Sequence, residues 1–304
     1  MSKSLKCLSI EITQQCNLDC DFCFLGNKEQ KDIDLPKLNR FLYKNLDYIE
    51  KTIILTGGEP FLKWKTISKI IKLCRKFNKK IYVITNGSWN SKILDSMENK
   101  PDALKISLDF PDERHDDYRG KKGLFNNSLY ILNKAKNSGI ATEILCTITK
   151  KNLGAMNDML DFSRELHLNL SFNRYIPSSL SDPLMLDKNE LKEFFGFIRK
   201  HKVDYVGGLS CFTGDKGHLC TAGLNKAHIT IQGYITPCMF YPQKYGTISE
   251  SLRKVHERMI DARVERAMRA EEECKNCIYL GPECRGDCIP IANLYGNIKG
   301  QCLF

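Results

Sequence analysis

The sequence predicts an α/β protein: a parallel sheet flanked by helices, followed by a small cysteine-rich domain. Three observations carry this. Short β-rich runs alternate with helical patterns from residue 5 to about 175. Glycines and cysteines concentrate beyond about residue 208, where the strands become short. The 304 residues suffice for one large domain and a smaller appendage, divided at 1–207 and 208–304. Successive βα units form parallel sheets with right-handed crossovers. Six such units fit a doubly wound sheet or a partly closed barrel.

The candidate strands are Cys7–Ile12, Thr52–Leu55, Lys80–Thr85, Ala103–Leu108, Ala141–Thr147 and Leu168–Phe172. The first helix starts at Asp34-Leu35-Pro36, an Asp cap with Pro in the first turn, and presents Leu38, Leu42, Leu46 and Ile49 on one face. The second carries Ile67, Ile70, Ile71, Cys74 and Phe77 at helical spacing. A third carries Phe125, Leu129, Leu132 and Ala135 and stops at Ser138-Gly139. Pro177 to Asp187 reads as a linker or lid loop. A helix with Leu191, Phe194, Phe195 and Ile198 on one face follows it. The long segment from Leu252 to Glu272 is charged on one side, with Leu252, Val255, Met259 and Ala262 on the other, and reads as a strut.

No apolar stretch approaches the roughly 18 residues needed to span a bilayer. The amino terminus lacks the apolar core of a signal peptide, so the expected location is cytoplasmic. In a reducing compartment the 14 cysteines are expected to bind metal or react rather than form disulfides. The 46 Lys and Arg against 36 Asp and Glu give a net charge of +10. Nucleic-acid binding is one reading of that excess. The lysines are scattered with no basic block of five, which favours solvated faces over a nucleic-acid partner.

Chemistry concentrates in Cys16-Asn17-Leu18-Asp19-Cys20-Asp21-Phe22-Cys23, spaced C-x3-C-x2-C. Three soft thiolates this close suit an iron–sulfur cluster. A cubane of four irons needs four ligands, so one iron stays open. Zinc sites more usually show C-x2-C or C-x4-C pairs with a second pair downstream. Other signals stand at strand ends, where parallel α/β sheets place their sites. Gly57-Gly58-Glu59-Pro60 follows strand two, Thr85-Asn86-Gly87 follows strand three, and Ser107-Leu108-Asp109 ends strand four.

These segments together resemble the radical SAM family. The resemblance implies a partial (β/α)6 barrel rather than a doubly wound sheet. It implies a 4Fe–4S cluster on Cys16, Cys20 and Cys23 whose open iron binds S-adenosylmethionine. Gly57, Gly58, Glu59 and Pro60 would border the methionyl group, Asn86 and Ser107 its methionyl and ribose parts, and Phe22 the adenine. Tyr118-Arg119-Gly120 through Phe125 is similar to the family's helix after strand four.

Eight cysteines fall between 211 and 302: Cys211, Cys220, Cys238, Cys274, Cys277, Cys284, Cys288 and Cys302. The run C-x2-C-x6-C-x3-C resembles the SPASM extension of radical SAM enzymes, with one extra residue before Cys284. That resemblance implies two auxiliary 4Fe–4S clusters. Cys220, Cys238 and Cys288, with Cys211 as the fourth candidate, would hold one. Cys274, Cys277, Cys284 and Cys302 would hold the other. A structural zinc site on Cys274, Cys277, Cys284 and Cys288 is the alternative, and it leaves Cys220, Cys238 and Cys302 unexplained. Cys7, Cys74 and Cys146 read as core, with Cys146 also a candidate hydrogen-atom donor. Arg174 and Tyr175, at the end of strand six, are candidate substrate contacts.

By resemblance, the activity is reductive cleavage of S-adenosylmethionine to a 5′-deoxyadenosyl radical that oxidatively modifies a substrate. The substrate expected first is a ribosomal peptide or protein. The alternative is a small molecule in cofactor, sugar or tetrapyrrole metabolism. Sulfatase maturation is disfavoured, because the aspartate base that follows Cys238's counterpart there is Met239 here. A flavodoxin- or ferredoxin-type electron donor is implied. The motif begins at residue 16, which leads us to expect either a separate leader-peptide-binding protein, a substrate recognised without a leader, or a small-molecule substrate.

Overall fold

A computed structural model describes residues 4–26, 28–206, 220–277 and 288–297. Cys211, Cys284, Cys302 and the expected boundary at residues 207 and 208 lie outside the described residues. The amino-terminal elements are β1 (Leu5–Thr13), α1 (Leu35–Asn45), β2 (Ile49–Gly57), α2 (Trp64–Arg75), β3 (Lys80–Thr85), α3 (Ile93–Ser96) and β4 (Ala103–Ser107). Then come α4 (Arg114–Arg119), α5 (Leu124–Asn137), β5 (Ala141–Ile148), α6 (Met156–Glu165), β6 (Asn169–Arg174), α7 (Lys188–His201) and β7 (Asp204–Val206). The carboxyl-terminal elements are β8 (Lys226–Ile229), β9 (Tyr234–Thr236), β10 (Gly246–Thr247), α8 (Leu252–Glu273) and α9 (Ile289–Leu294).

The ten strands among the described residues form one sheet in the order β10-β9-β8-β1-β2-β3-β4-β5-β6-β7. Neighbours from β1 to β7 are parallel, as the βα alternation requires. Six of these strands were expected, and β7 adds a seventh. β8 joins the free edge of β1 in parallel, and β9 and β10 continue from it in antiparallel hairpins. The described strands of the cysteine-rich region therefore extend the same sheet.

The core lies between the sheet and the helices. In β1, Leu8, Ile10 and Ile12 are fully buried against the helices, while Cys7 and Ser9 on the opposite face are half-buried. That period of two identifies the inner face of the sheet. The expected helix signals hold locally. Asp34 caps α1 by accepting from Lys37 N at 2.9 Å. Asp187 and Glu190 form a capping box at the start of α7. Ile49, expected on the face of α1, is instead the first residue of β2 and fully buried. α1 stops at Asn45 and a single 3-10 turn carries the chain straight into the strand, so the apolar spacing ran across a junction.

Candidate active site

The strand ends converge around the Cys16–Cys23 loop. Gly58 N donates to Thr13 O at 2.7 Å and Glu59 N donates to Gln15 O at 2.8 Å, lacing the end of β2 to the backbone that leads into the loop. Only glycine permits this approach. A Cβ on Gly57, at φ +148°, would sit 2.2 Å from Thr13 O, and one on Gly58 would sit 2.2 Å from Gln15 O. Within the loop, Cys23 N donates to Cys20 O at 3.1 Å, a turn that brings these two cysteines back toward each other.

Glu59 is fully buried, and both carboxylate oxygens are committed inside the protein. Oε1 accepts from Phe61 N at 2.9 Å and Thr85 Oγ1 at 2.8 Å, and Oε2 accepts from Asn86 N at 2.8 Å. The carboxylate thus ties the ends of β2 and β3 together. Burial pushes its pKa up to about 7 against those three donors. Asn86 Nδ2 is 3.6 Å from Cys16 Sγ and 3.3 Å from Asn17 Oδ1. Ser107, half-buried, is the last residue of β4.

A charged unit lies beneath Cys20, built from Asp109 and Arg119, two residues that the sequence motifs contain without assigning them to each other. Asp109 is fully buried; it accepts from Arg119 Nε at 2.6 Å and from Thr147 N at 2.9 Å. Arg119, itself buried, lies 5.3 Å over the Phe22 ring, and its carbonyl is 4.0 Å from Cys20 Sγ. Phe22 stacks on Tyr118 with centroids 4.6 Å apart. His115 accepts from Asp109 N through Nδ1 at 3.2 Å, while its buried Nε2 has no partner among the described residues. Burial holds His115 down at about 4, so it is neutral near pH 7. The signal in the sequence was two charges flanking an apolar strand end, Asp109 and Arg119, ten residues apart.

Burial pushes the Cys20 thiol up to about 11, with Arg119 opposing it, and raises Cys16 as well. Metal binding must therefore displace protons from these thiols. All described cysteines are free. Among the described residues no three Cys, His, Asp or Glu side chains form a ready-made metal cage. The donor set nevertheless suits an iron–sulfur group: three half-buried soft donors in one loop, beside a buried guanidinium.

The second thiol set draws on distant parts of the chain. Cys220 and Cys238 flank the β8–β9 hairpin and lie within electrostatic reach of each other. Burial pushes Cys238 up to about 11, Cys220 adds to the rise and Arg263 opposes it. Cys288 precedes α9, and it and Cys220 both act on Arg266. Cys274 caps α8, and Cys277 N donates to its carbonyl at 2.8 Å.

The substrate-side candidates separate. Cys146 is fully buried on the helix side of β5, its thiol 3.8 Å from Asp109 O. Arg174 is buried at the end of β6. Tyr175 donates to Asp182 Oδ2 at 2.8 Å, and burial and that carboxylate raise its pKa. Asp182 lines a cavity of about 660 Å³ between Asp21 of the cysteine loop, Lys150 and Lys151 after β5, and Ser178–Leu184 after β6.

Residues 10–163, 154 of the 304, match the model of the Radical SAM superfamily. The chain belongs to the radical SAM superfamily. It is accordingly an enzyme of radical chemistry, in a family built around a 4Fe–4S cluster and S-adenosylmethionine. It is 24% identical to the sporulation killing factor maturation protein SkfB of Bacillus subtilis, over 90% of this chain and 68% of that protein. It is 27% identical to the cysteine-type anaerobic sulfatase-maturating enzyme of Clostridium novyi, over 94% of this chain and 88% of that one. The fold is similar to that of Streptococcus suis SuiB bound to its precursor peptide SuiA, with a TM-score of 0.75 and 19% identity, covering 97% of this chain and 74% of SuiB. The chain thus spans about two thirds of the length of SkfB. No helix among the described residues is long and apolar enough to cross a membrane.

Proposed function

We propose that this radical SAM enzyme is a maturase that oxidatively modifies a ribosomal peptide or protein. The observation that carries the reading is the lacing of β2 and β3 to the Cys16–Cys23 loop through Gly57, Gly58, Glu59 and Asn86. When bound, the 4Fe–4S cluster and S-adenosylmethionine supply an electron and a 5′-deoxyadenosyl radical. Cys16, Cys20 and Cys23 hold the cluster. The glycine pair and Asn86 would border the methionyl end, Ser107 the ribose, and Phe22, which stacks on Tyr118, is the adenine-side candidate. Glu59 fixes the strand ends from within rather than meeting the ligand. Residues 208–304 form the region for two auxiliary clusters, on Cys211, Cys220, Cys238 and Cys288 and on Cys274, Cys277, Cys284 and Cys302.

The substrate class rests on kinship. SkfB matures a killing factor, and the SuiB structure holds a precursor peptide. Met239, in place of an aspartate base, points away from sulfatases. An electron donor of the flavodoxin or ferredoxin type and a separate leader-binding protein complete the proposal. The deciding experiment is anaerobic reconstitution followed by incubation with S-adenosylmethionine, dithionite and peptides encoded beside the gene. A peptide lighter by about two hydrogens, formed with 5′-deoxyadenosine, is the expected result. 5′-Deoxyadenosine with no change in any such peptide would move the substrate to the small-molecule class.

A further inference from the structure

α8 places a buried cation where its own pattern calls for an apolar residue. Its inward stripe runs Leu252, Val255, Met259, then Arg263, then Ala270, all buried. Arg263 is 8% exposed, and its stem lies against Gly223, 3.5 Å from where a Cβ there would sit. Nη2 donates to Cys220 O at 3.0 Å, whereas Nη1 is buried with no partner among the described residues. Among those residues no Asp or Glu forms an ion pair with it. A buried guanidinium with one N–H group unmet among the described residues is a costly arrangement. An anion placed at Nη1 would offset that cost.

Cysteine-bearing backbone stands close to Arg263. Nη2 bonds the carbonyl of Cys220, and the Cβ position of Gly223 lies 3.5 Å from both the Arg263 stem and Pro237, the neighbour of Cys238. Cys288 comes from a third stretch of the chain, at the start of α9.

We infer that Arg263 is the charge partner of an anionic iron–sulfur group held by Cys220, Cys238 and Cys288, with its Nη1 donating to that group's sulfur. This rests on the auxiliary-cluster reading above. A donated N–H bond and a buried positive charge stabilise the reduced, more negative form, and so raise the reduction potential. Arg263 is thus a positioning and tuning residue, not a catalytic one.

The test uses the full chain with Cys16, Cys20 and Cys23 replaced by alanine, so that only auxiliary iron remains. Iron and sulfide per chain, and the midpoint potential followed by electron paramagnetic resonance, are compared for Arg263, Arg263→Gln and Arg263→Lys. The expected result is a midpoint displaced to lower potential in Arg263→Gln and largely restored in Arg263→Lys. An unchanged midpoint at full iron loading overturns the inference. So does an unchanged midpoint with weakened peptide binding, which would give the arginine to substrate. If Arg263→Gln loses its iron, Arg263→Lys decides: full loading supports a charge requirement, and equal loss overturns it. Absence of auxiliary iron from the parent chain would instead sink the cluster reading itself.

Discussion

Two arginines stand beside two sets of thiols, and their surroundings differ. Arg119, under Cys20, is neutralised by Asp109 at 2.6 Å. Arg263, beside Cys220 and Cys238, has no carboxylate partner among the described residues. The first set therefore sits beside a cation neutralised by a carboxylate, and the second beside a cation with no carboxylate partner among the described residues. Under the proposed cluster assignment this separates the two sites by potential. A balanced site leaves a cluster strongly reducing, as cleavage of S-adenosylmethionine demands. A positive site favours accepting an electron. The comparison teaches that the carboxylate, not the arginine, distinguishes the two sites.

The largest expected effect comes from removing the first thiol set. Cys20→Ala should abolish 5′-deoxyadenosine formation while leaving auxiliary iron in place, measured as product and as iron per chain. Loss of all iron together would join the two sites into one unit and break the comparison. Next comes Asp109→Asn, which unmasks Arg119. The loss of the buried ion pair should destabilise the fold by about 3–5 kcal/mol. In whatever fraction folds, the potential of the first cluster should rise and 5′-deoxyadenosine formation should fall by about 10–100-fold. An unaltered potential would mean that Asp109 does not set the charge there.

Gly58→Ala should cost about 1–3 kcal/mol by thermal unfolding, because its Cβ would collide with Gln15 O at 2.2 Å. It should also lower iron loading at the Cys16–Cys23 loop and spare the second set. Equal loss at both sites would show that the strand-end lacing serves the whole sheet rather than this site.

These two sites were unequally legible in the sequence. The parallel strands announce themselves through β-branched runs such as Thr52-Ile53-Ile54-Leu55 between amphipathic helices. The Cys16–Cys23 spacing and Gly57-Gly58 are local, so they survive in one dimension. β8, β9 and β10 are two to four residues long, too short to leave a period. The pairing of β8 with β1 spans more than 200 residues and has no local trace. Glu59 showed itself as part of a motif, but not that its oxygens face inward. Arg119 and Arg263 looked like ordinary helix charges. Only the fold shows that one meets Asp109 and the other meets the carbonyl of Cys220.

The smallest effect is a pH dependence that sharpens the contrast. His115 abuts Asp109 and is held at about 4 by burial, with Arg119 the next cause and Asp109 and Asp116 opposing. Unfolded histidine titrates near 6.5, so the folded chain binds fewer protons between those values. Stability from this group is therefore complete above about pH 6.5 and is lost as pH falls toward 4, by about 3 kcal/mol at most. Thermal unfolding of wild type and His115→Gln across pH 4 to 7 checks this, and the slope should flatten in the variant. No pairing of Arg263 with a titrating carboxylate occurs among the described residues, so Arg263→Gln should leave the same slope intact. A slope that follows Arg263 instead would place an unrecognised acid beside it and remove the asymmetry between the two arginines.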